Sequence, residues 1–194
     1  DNPYKTINAA LTSGYKQSAV IVVRVLEGNY SGEFNNNLTV ASSLDISIIG
    51  DGQDKTIIDG QDVSWFLNIL AGDSMIKVAN MTVANVTKNY VDAKLYNQHP
   101  AIIIEKGATV IIDNVGFIRC HGTEGGAIYT EGTLGVLNSY FFNNGDSNYG
   151  AAIKNYGTLI VSKTEFVANH AKYYSTIYNE TKVDRKSGSA GMPR

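Results

Sequence analysis

Glu105, Glu131, Tyr156 and Glu180 are spaced about 25 residues apart. Each closes a short run whose second residue is isoleucine: Ala101-Ile102-Ile103-Ile104-Glu105, Ala127-Ile128-Tyr129-Thr130-Glu131, Ala152-Ile153-Lys154-Asn155-Tyr156 and Thr176-Ile177-Tyr178-Asn179-Glu180. If the chain stacks at this period, Glu105 and Glu131 lie one strand spacing apart, roughly 5 Å at the backbone. Two carboxylates that close could serve a retaining glycosidase. No third group is placed to orient either of them, so the residues assign no catalytic role. A solvated polar column at the strand ends is the preferred reading of them. The third position of each run gives a second outward column, Ile103, Tyr129, Lys154 and Tyr178. Tyrosine offers a flat apolar face with a polar tip, which suits sugars and protein partners.

These positions can align only if the chain repeats. Ile102, Ile128, Ile153 and Ile177 recur at spacings of 26, 25 and 24. Thr109, Thr133 and Thr158 each open a further apolar segment, and Phe117, Phe141 and Phe166 form a third column. Three independent columns with one period mark a stacked-repeat architecture. Each unit holds two or three apolar segments of three to five residues, broken by Gly, Asn and Asp, which leaves no room for a ten-residue helix. A propeller blade needs about 40–45 residues. The pattern therefore predicts an all-β solenoid, a parallel β-helix in which like residue stacks on like.

The run 2–14 predicts a helix with Asn2 as N-cap, Pro3 in the first turn, Tyr4, Ile7 and Leu11 on one face, and Gly14 at its end. It would cap the exposed first coil. Residues 1–181 read as one β-helix domain, with 1–14 as this cap. From residue 20 to about 74 the coils are less regular. The segment 88–100 is a polar insertion carrying Tyr90 and Tyr96, and loops that leave a solenoid on one side are often binding elements. The proposed ligand-binding set is Tyr90, Tyr96, Tyr129, Lys154 and Tyr178. Periodicity stops at 182. The stretch 182–194, with Ser187-Gly188-Ser189-Ala190-Gly191, resembles a flexible linker and stands outside the fold. No C-terminal cap precedes it, which suggests a piece of a longer solenoid.

The net charge is −2 and the basic residues form no stripe, so nucleic acid has no electrostatic footprint to bind. No segment is long and apolar enough to insert in a membrane. Cys120 is the only cysteine. It reads as a buried structural residue, and its neighbour His121 would point to the opposite face. His99, His121 and His170 lack metal-ligand spacing, and Asp51, Asp54, Asp59 and Asp62 read as turn residues. No metal or cofactor is expected. Asn144 and Asn169 should stack as an amide ladder. Five acceptor sequons, at Asn29, Asn37, Asn80, Asn85 and Asn179, lean towards an extracellular setting. So do twelve tyrosines against six phenylalanines, several at outward or loop sites.

Tyr4-Lys5-Thr6-Ile7-Asn8-Ala9-Ala10-Leu11, followed by the strand at 23–30, resembles the opening of pectate-lyase-like right-handed β-helix proteins. Ile49-Gly50-Asp51-Gly52 with Lys55-Thr56-Ile57-Ile58 resembles an early coil of pectin methylesterases. Gly125-Gly126-Ala127-Ile128, with Phe141-Phe142-Asn143-Asn144 and Phe166-Val167-Ala168-Asn169, resembles the G-G-A-I and F-x-x-N repeats of polymorphic outer membrane proteins. There are departures: coil five has Gly150-Ala151-Ala152-Ile153, and Cys120 takes the Asn position after Phe117. Together these features are most similar to the adhesin-like surface proteins of methanogenic archaea, over about residues 1–179. The resemblance, with the general rule for parallel crossovers, implies right-handed winding. It also implies display at the cell surface and attachment to a glycan or protein of another cell. The alternative from the same resemblance is a polysaccharide-active lyase or esterase. The esterase segments Q-D-T-L and Q-A-V-A are absent.

Overall fold

β-Branched runs broken by turn residues form strands, and among the described residues sixteen of them follow one helix. The computed structural model describes residues 3–16, 20–40, 44–73, 75–87, 99–145, 148–173 and 176–180. Helix α1 is Ile7–Tyr15. The strands are β1 (Val20–Val25), β2 (Gly28–Tyr30), β3 (Leu38–Val40), β4 (Asp45–Gly50), β5 (Thr56–Asp59), β6 (Leu67–Ile69), β7 (Met75–Thr87) and β8 (Ile102–Ile104). They continue as β9 (Thr109–His121), β10 (Ile128–Thr130), β11 (Thr133–Leu137), β12 (Tyr140–Phe142), β13 (Ile153–Asn155), β14 (Thr158–Ser162), β15 (Glu165–Val167) and β16 (Ile177–Asn179). They wind into a parallel β-solenoid of about six turns. One sheet runs β1-β4-β7-β9-β11-β14, with β2, β5, β12 and β15 continuing it past a corner. The other runs β3-β6-β8-β10-β13-β16.

The stacking register is the one the repeats predict. Ile102, Ile128, Ile153 and Ile177 are direct partners on successive coils, and Leu67 and Leu38 extend the ladder into the less regular half. All but Ile177 are buried. Phe117, Phe141 and Phe166 stack with centroids 4.9 and 4.8 Å apart and interplanar angles of 17° and 12°. That is the coil spacing read out by aromatic rings. The apolar interior is continuous from Ile7 at one end to Ile153 in the fifth coil.

The corner between the two halves of each long strand demands left-handed backbone. Asn80, Asn114, Asn138 and Lys163 stack there with φ of 56°, 56°, 49° and 48°. Asn85, Arg119, Asn143 and Ala168 form a second such column. Asparagine tolerates this region best among residues with a Cβ. Its amide also reaches the neighbouring coil, as in the 2.9 Å bond that Asn114 Nδ2 donates to Asn80 Oδ1.

The helix differs from its expected limits. It starts at Ile7, not Pro3, because Thr6 Oγ1 accepts from the Ala9 N–H at 3.2 Å and so caps it. Asn2 lies outside the described residues. Tyr4 precedes the helix and is 59% exposed; its hydroxyl donates to Ser13 Oγ at 2.6 Å. Gly14 is inside the last turn. A Cβ there would come within 2.6 Å of Ile21 Cγ2, so glycine lets the helix lie close on β1. The capping role holds. Ile7 and Leu11 are buried against the first coil, and the N–H groups of Ile7 and Asn8 donate to Asn35 Oδ1 and the Phe34 carbonyl, both at 3.0 Å. Tyr90, Tyr96 and the stretch 182–194 lie outside the described residues.

The Asn144–Asn169 ladder is formed. Asn144 Nδ2 donates to Asn169 Oδ1 (2.9 Å) and to the Phe117 carbonyl (3.0 Å), while its Oδ1 accepts from the Cys120 N–H (2.9 Å). Cys120 occupies the next slot, and its thiol donates weakly to the Val83 carbonyl at 3.7 Å. Replacing Cys120 by asparagine would extend the ladder by one coil. Its amide would donate to that carbonyl and accept from the Val86 N–H. A neutral hydrogen bond contributes about 1 kcal/mol. Cys120→Asn is therefore expected to raise the calorimetric Tm by about 2–4 °C for a chain of this size. A lower Tm would show that the slot is shaped for the thiol.

Candidate functional site

The outward positions of the second sheet form one column down the solenoid: Thr39, Asn68, Ile103, Tyr129, Lys154 and Tyr178. Its last three members were expected to form an open row. The structure brings them together with four residues from flanking segments. Tyr156 and Glu180 follow β13 and β16, and Glu124 and Tyr149 lie in the turns that precede β10 and β13, where the two residues bridge in parallel. Gly125 and Gly150, at φ +83° and +68°, make those turns possible. A Cβ on either would fall within 2.4 Å of the carbonyl oxygen of Ile128 or Ile153. The turns therefore fold tightly over the sheet and deliver Glu124 and Tyr149 to its face.

Lys154 is the correction within this set. It points outward, as the register requires, but is only 4% exposed. Its ammonium pairs with the Glu124 carboxylate. It also lies 5.0, 5.1 and 6.0 Å from the ring centroids of Tyr149, Tyr156 and Tyr178. Long side chains cannot all stand free at one coil spacing, so the tyrosines lean over the lysine. Tyr129 and Tyr156 meet at 5.9 Å, Tyr156 and Tyr178 at 6.5 Å, and Tyr149 and Tyr178 at 5.1 Å. Burial lowers the Lys154 pKa, and Glu180 partly offsets this. The rings themselves remain part-exposed.

Glu105 and Glu131, one coil apart, do not converge. Tyr129 donates to Glu131 Oε1 at 2.6 Å, and Tyr178 donates to Glu180 Oε2 at 3.0 Å. Glu105 Oε2 accepts from the Ala71 N–H at 3.3 Å. Glu105 and Glu131 are thus turned to different partners, and Glu180 serves Tyr178 and Tyr156. Burial and then the bond to Glu131 raise the Tyr129 phenol; burial and then the Glu180 charge raise Tyr156; the bond to Glu180 is the first cause for Tyr178. Elsewhere, burial pushes the Cys120 thiol up to about 12. Among the described residues no three His, Cys, Asp or Glu side chains gather as metal ligands, and no helix is long and apolar enough to cross a membrane.

Sequence reasoning reached Tyr129, Lys154 and Tyr178, and placed Tyr156 in the glutamate column. It gave Glu124 no role, because only the glycine turn after it brings it to Lys154. The sequons also take on a different meaning. Asn37, Asn80 and Asn85 are left-handed residues with φ of 54°, 56° and 53°. Asn85 Nδ2 donates to Asp59 Oδ1 at 3.0 Å. Corner asparagines two residues ahead of a strand threonine generate the motif for conformational reasons. Asn29 and Asn179 are exposed.

The chain matches no protein-family model, no curated protein and no solved structure.

The phenol shifts have a testable sign. A raised folded-state value means that the unfolded chain ionises first, from its ordinary 10.0. The stability these phenols contribute is complete below pH 10 and is lost as pH rises above it. A near-ultraviolet titration should show phenols that ionise only well above the ordinary value, and Tyr129→Phe should remove one of them. That variant should also lose stability less steeply with pH in the alkaline range. An unchanged late-ionising fraction would contradict the Tyr129–Glu131 contact.

Proposed function

We propose that this chain is a surface-displayed, adhesin-like solenoid module that attaches by binding a glycan or a protein of another cell through the tyrosine-rich end of its second sheet. The observation that carries the reading is the cluster of Tyr129, Tyr149, Tyr156 and Tyr178, four part-exposed rings on three successive coils. A solenoid holds such rings in place before a ligand arrives, so little ordering cost attaches to binding. Rings at successive coil heights can meet successive units of an extended polymer.

The module is read as a binder without catalysis. Supporting this, Glu105 and Glu131, the carboxylates one coil apart, are bonded to different partners, and the one thiol is buried. A lyase or esterase needs charged groups that converge in a groove.

The test compares the wild type with Tyr129→Ala/Tyr178→Ala on a glycan array and on whole cells. Removing two aromatic contacts should weaken binding by about tenfold or more. The loss of half-buried ring contacts should lower Tm by only about 2–4 °C. Equal binding by the two proteins would place attachment elsewhere.

A further inference from the structure

The charge arrangement on the tyrosine face also selects among ligands, and this step rests on the glycan reading just given. Three carboxylates border the rings: Glu124, Glu131 and Glu180. Glu124 and Glu131 are part-exposed and Glu180 is exposed. Among the described residues the one ammonium within the rings, that of Lys154, is 4% exposed, paired with Glu124 and covered by Tyr149, Tyr156 and Tyr178. It cannot reach a ligand without dismantling the cluster. Lys172, at the turn before β16, lies over the ring of Tyr173 at 4.9 Å, outside this set.

Two of the four hydroxyl protons are committed as well. Tyr129 and Tyr178 donate theirs to Glu131 and Glu180, so neither of these protons is left for a ligand. The face is therefore aromatic and rich in acceptors, with negative charge at its rim and its positive charge buried. A ligand that carries donors and apolar C–H faces satisfies it. A ligand that carries carboxylates or sulfates meets like charge, with no exposed cation among the rings in the described residues.

We infer that the tyrosine face takes a non-acidic glycan, neutral or amine-bearing, and rejects uronate and sulfated polymers. Glu131 and Glu180 are the specificity-determining residues, and Lys154 is a positioning residue that holds the rings.

The experiment titrates the full chain by calorimetry with three hexasaccharides: a neutral β-glucan, a chitosan and a polygalacturonate. The neutral and amine-bearing oligomers should bind, with the galacturonate at least about tenfold weaker. In Glu131→Gln/Glu180→Gln, glutamine still accepts from the phenols but the charge is gone, and the gap should narrow to about twofold. The amine oligomer should lose affinity in that variant. Galacturonate binding as tightly as the neutral oligomer, or an unchanged gap in the double variant, would overturn the inference and leave the glycan reading standing. Binding by none of the three, with retained attachment to whole cells, would reject glycan recognition itself and this inference with it.

Discussion

Like residue over like, repeated at the strand spacing, is the constraint from which the rest of this molecule follows. A parallel ladder leaves each side chain about 4.8 Å from its counterpart on the next coil. Apolar residues satisfy this by packing, as the Ile and Phe columns do. Amides satisfy it by donating along the axis, as Asn144 does to Asn169. Corner residues satisfy it by adopting one left-handed conformation coil after coil. No unit could bury its apolar side alone, so each coil is stable only as the neighbour of another. The first coil has α1 in place of a neighbour. In the sixth coil, Leu159, Phe166 and Ile177 are only partly buried.

The same constraint creates the tyrosine face. Outward side chains at one coil spacing must interact with one another, and an uncompensated ammonium among aromatic rings would be costly. Lys154 avoids that cost through its ion pair with Glu124 and the faces of three rings, contacts worth about 0.5–2 kcal/mol each for the rings. The arrangement converts a charged residue into internal scaffolding. What remains at the surface is aromatic and acidic, and it is held by a backbone with little freedom to rearrange.

Fold and register were legible because they depend on identity at fixed intervals. The isoleucine, threonine and phenylalanine columns appear in the sequence as they do in space, and even Cys120 could be recognised as the substitute within an asparagine ladder. Residues 38 and 67 escaped the periodicity, since leucine replaces isoleucine and their coils are unequal in length. The helix start was misplaced because Asn2 and Thr6 are both competent caps, and only the contacts of Ile7 and Asn8 with the first coil select the second. The burial of Lys154 was not legible. It depends on turns whose direction is set by Gly125 and Gly150, and no periodic signal reports where a turn delivers its side chains. Corner geometry likewise hid behind the sequons at Asn37, Asn80 and Asn85.

Coil-on-coil register can be measured directly by disulfide trapping in a Cys120→Ala background. Thr133 and Thr158 are exposed partners on adjacent coils. Their Cα atoms should lie about 4.8 Å apart, within the range a disulfide spans. Thr133 and Ile160 are two residues out of register, about 8 Å apart and too far to bridge without backbone movement. Thr133→Cys/Thr158→Cys should oxidise to completion, seen as the disappearance of both free thiols by titration and the loss of two hydrogens from the intact mass, while Thr133→Cys/Ile160→Cys stays reduced. Equal oxidation of both pairs, or of the second alone, would contradict the stacking on which the core, the corners and the tyrosine face all rest.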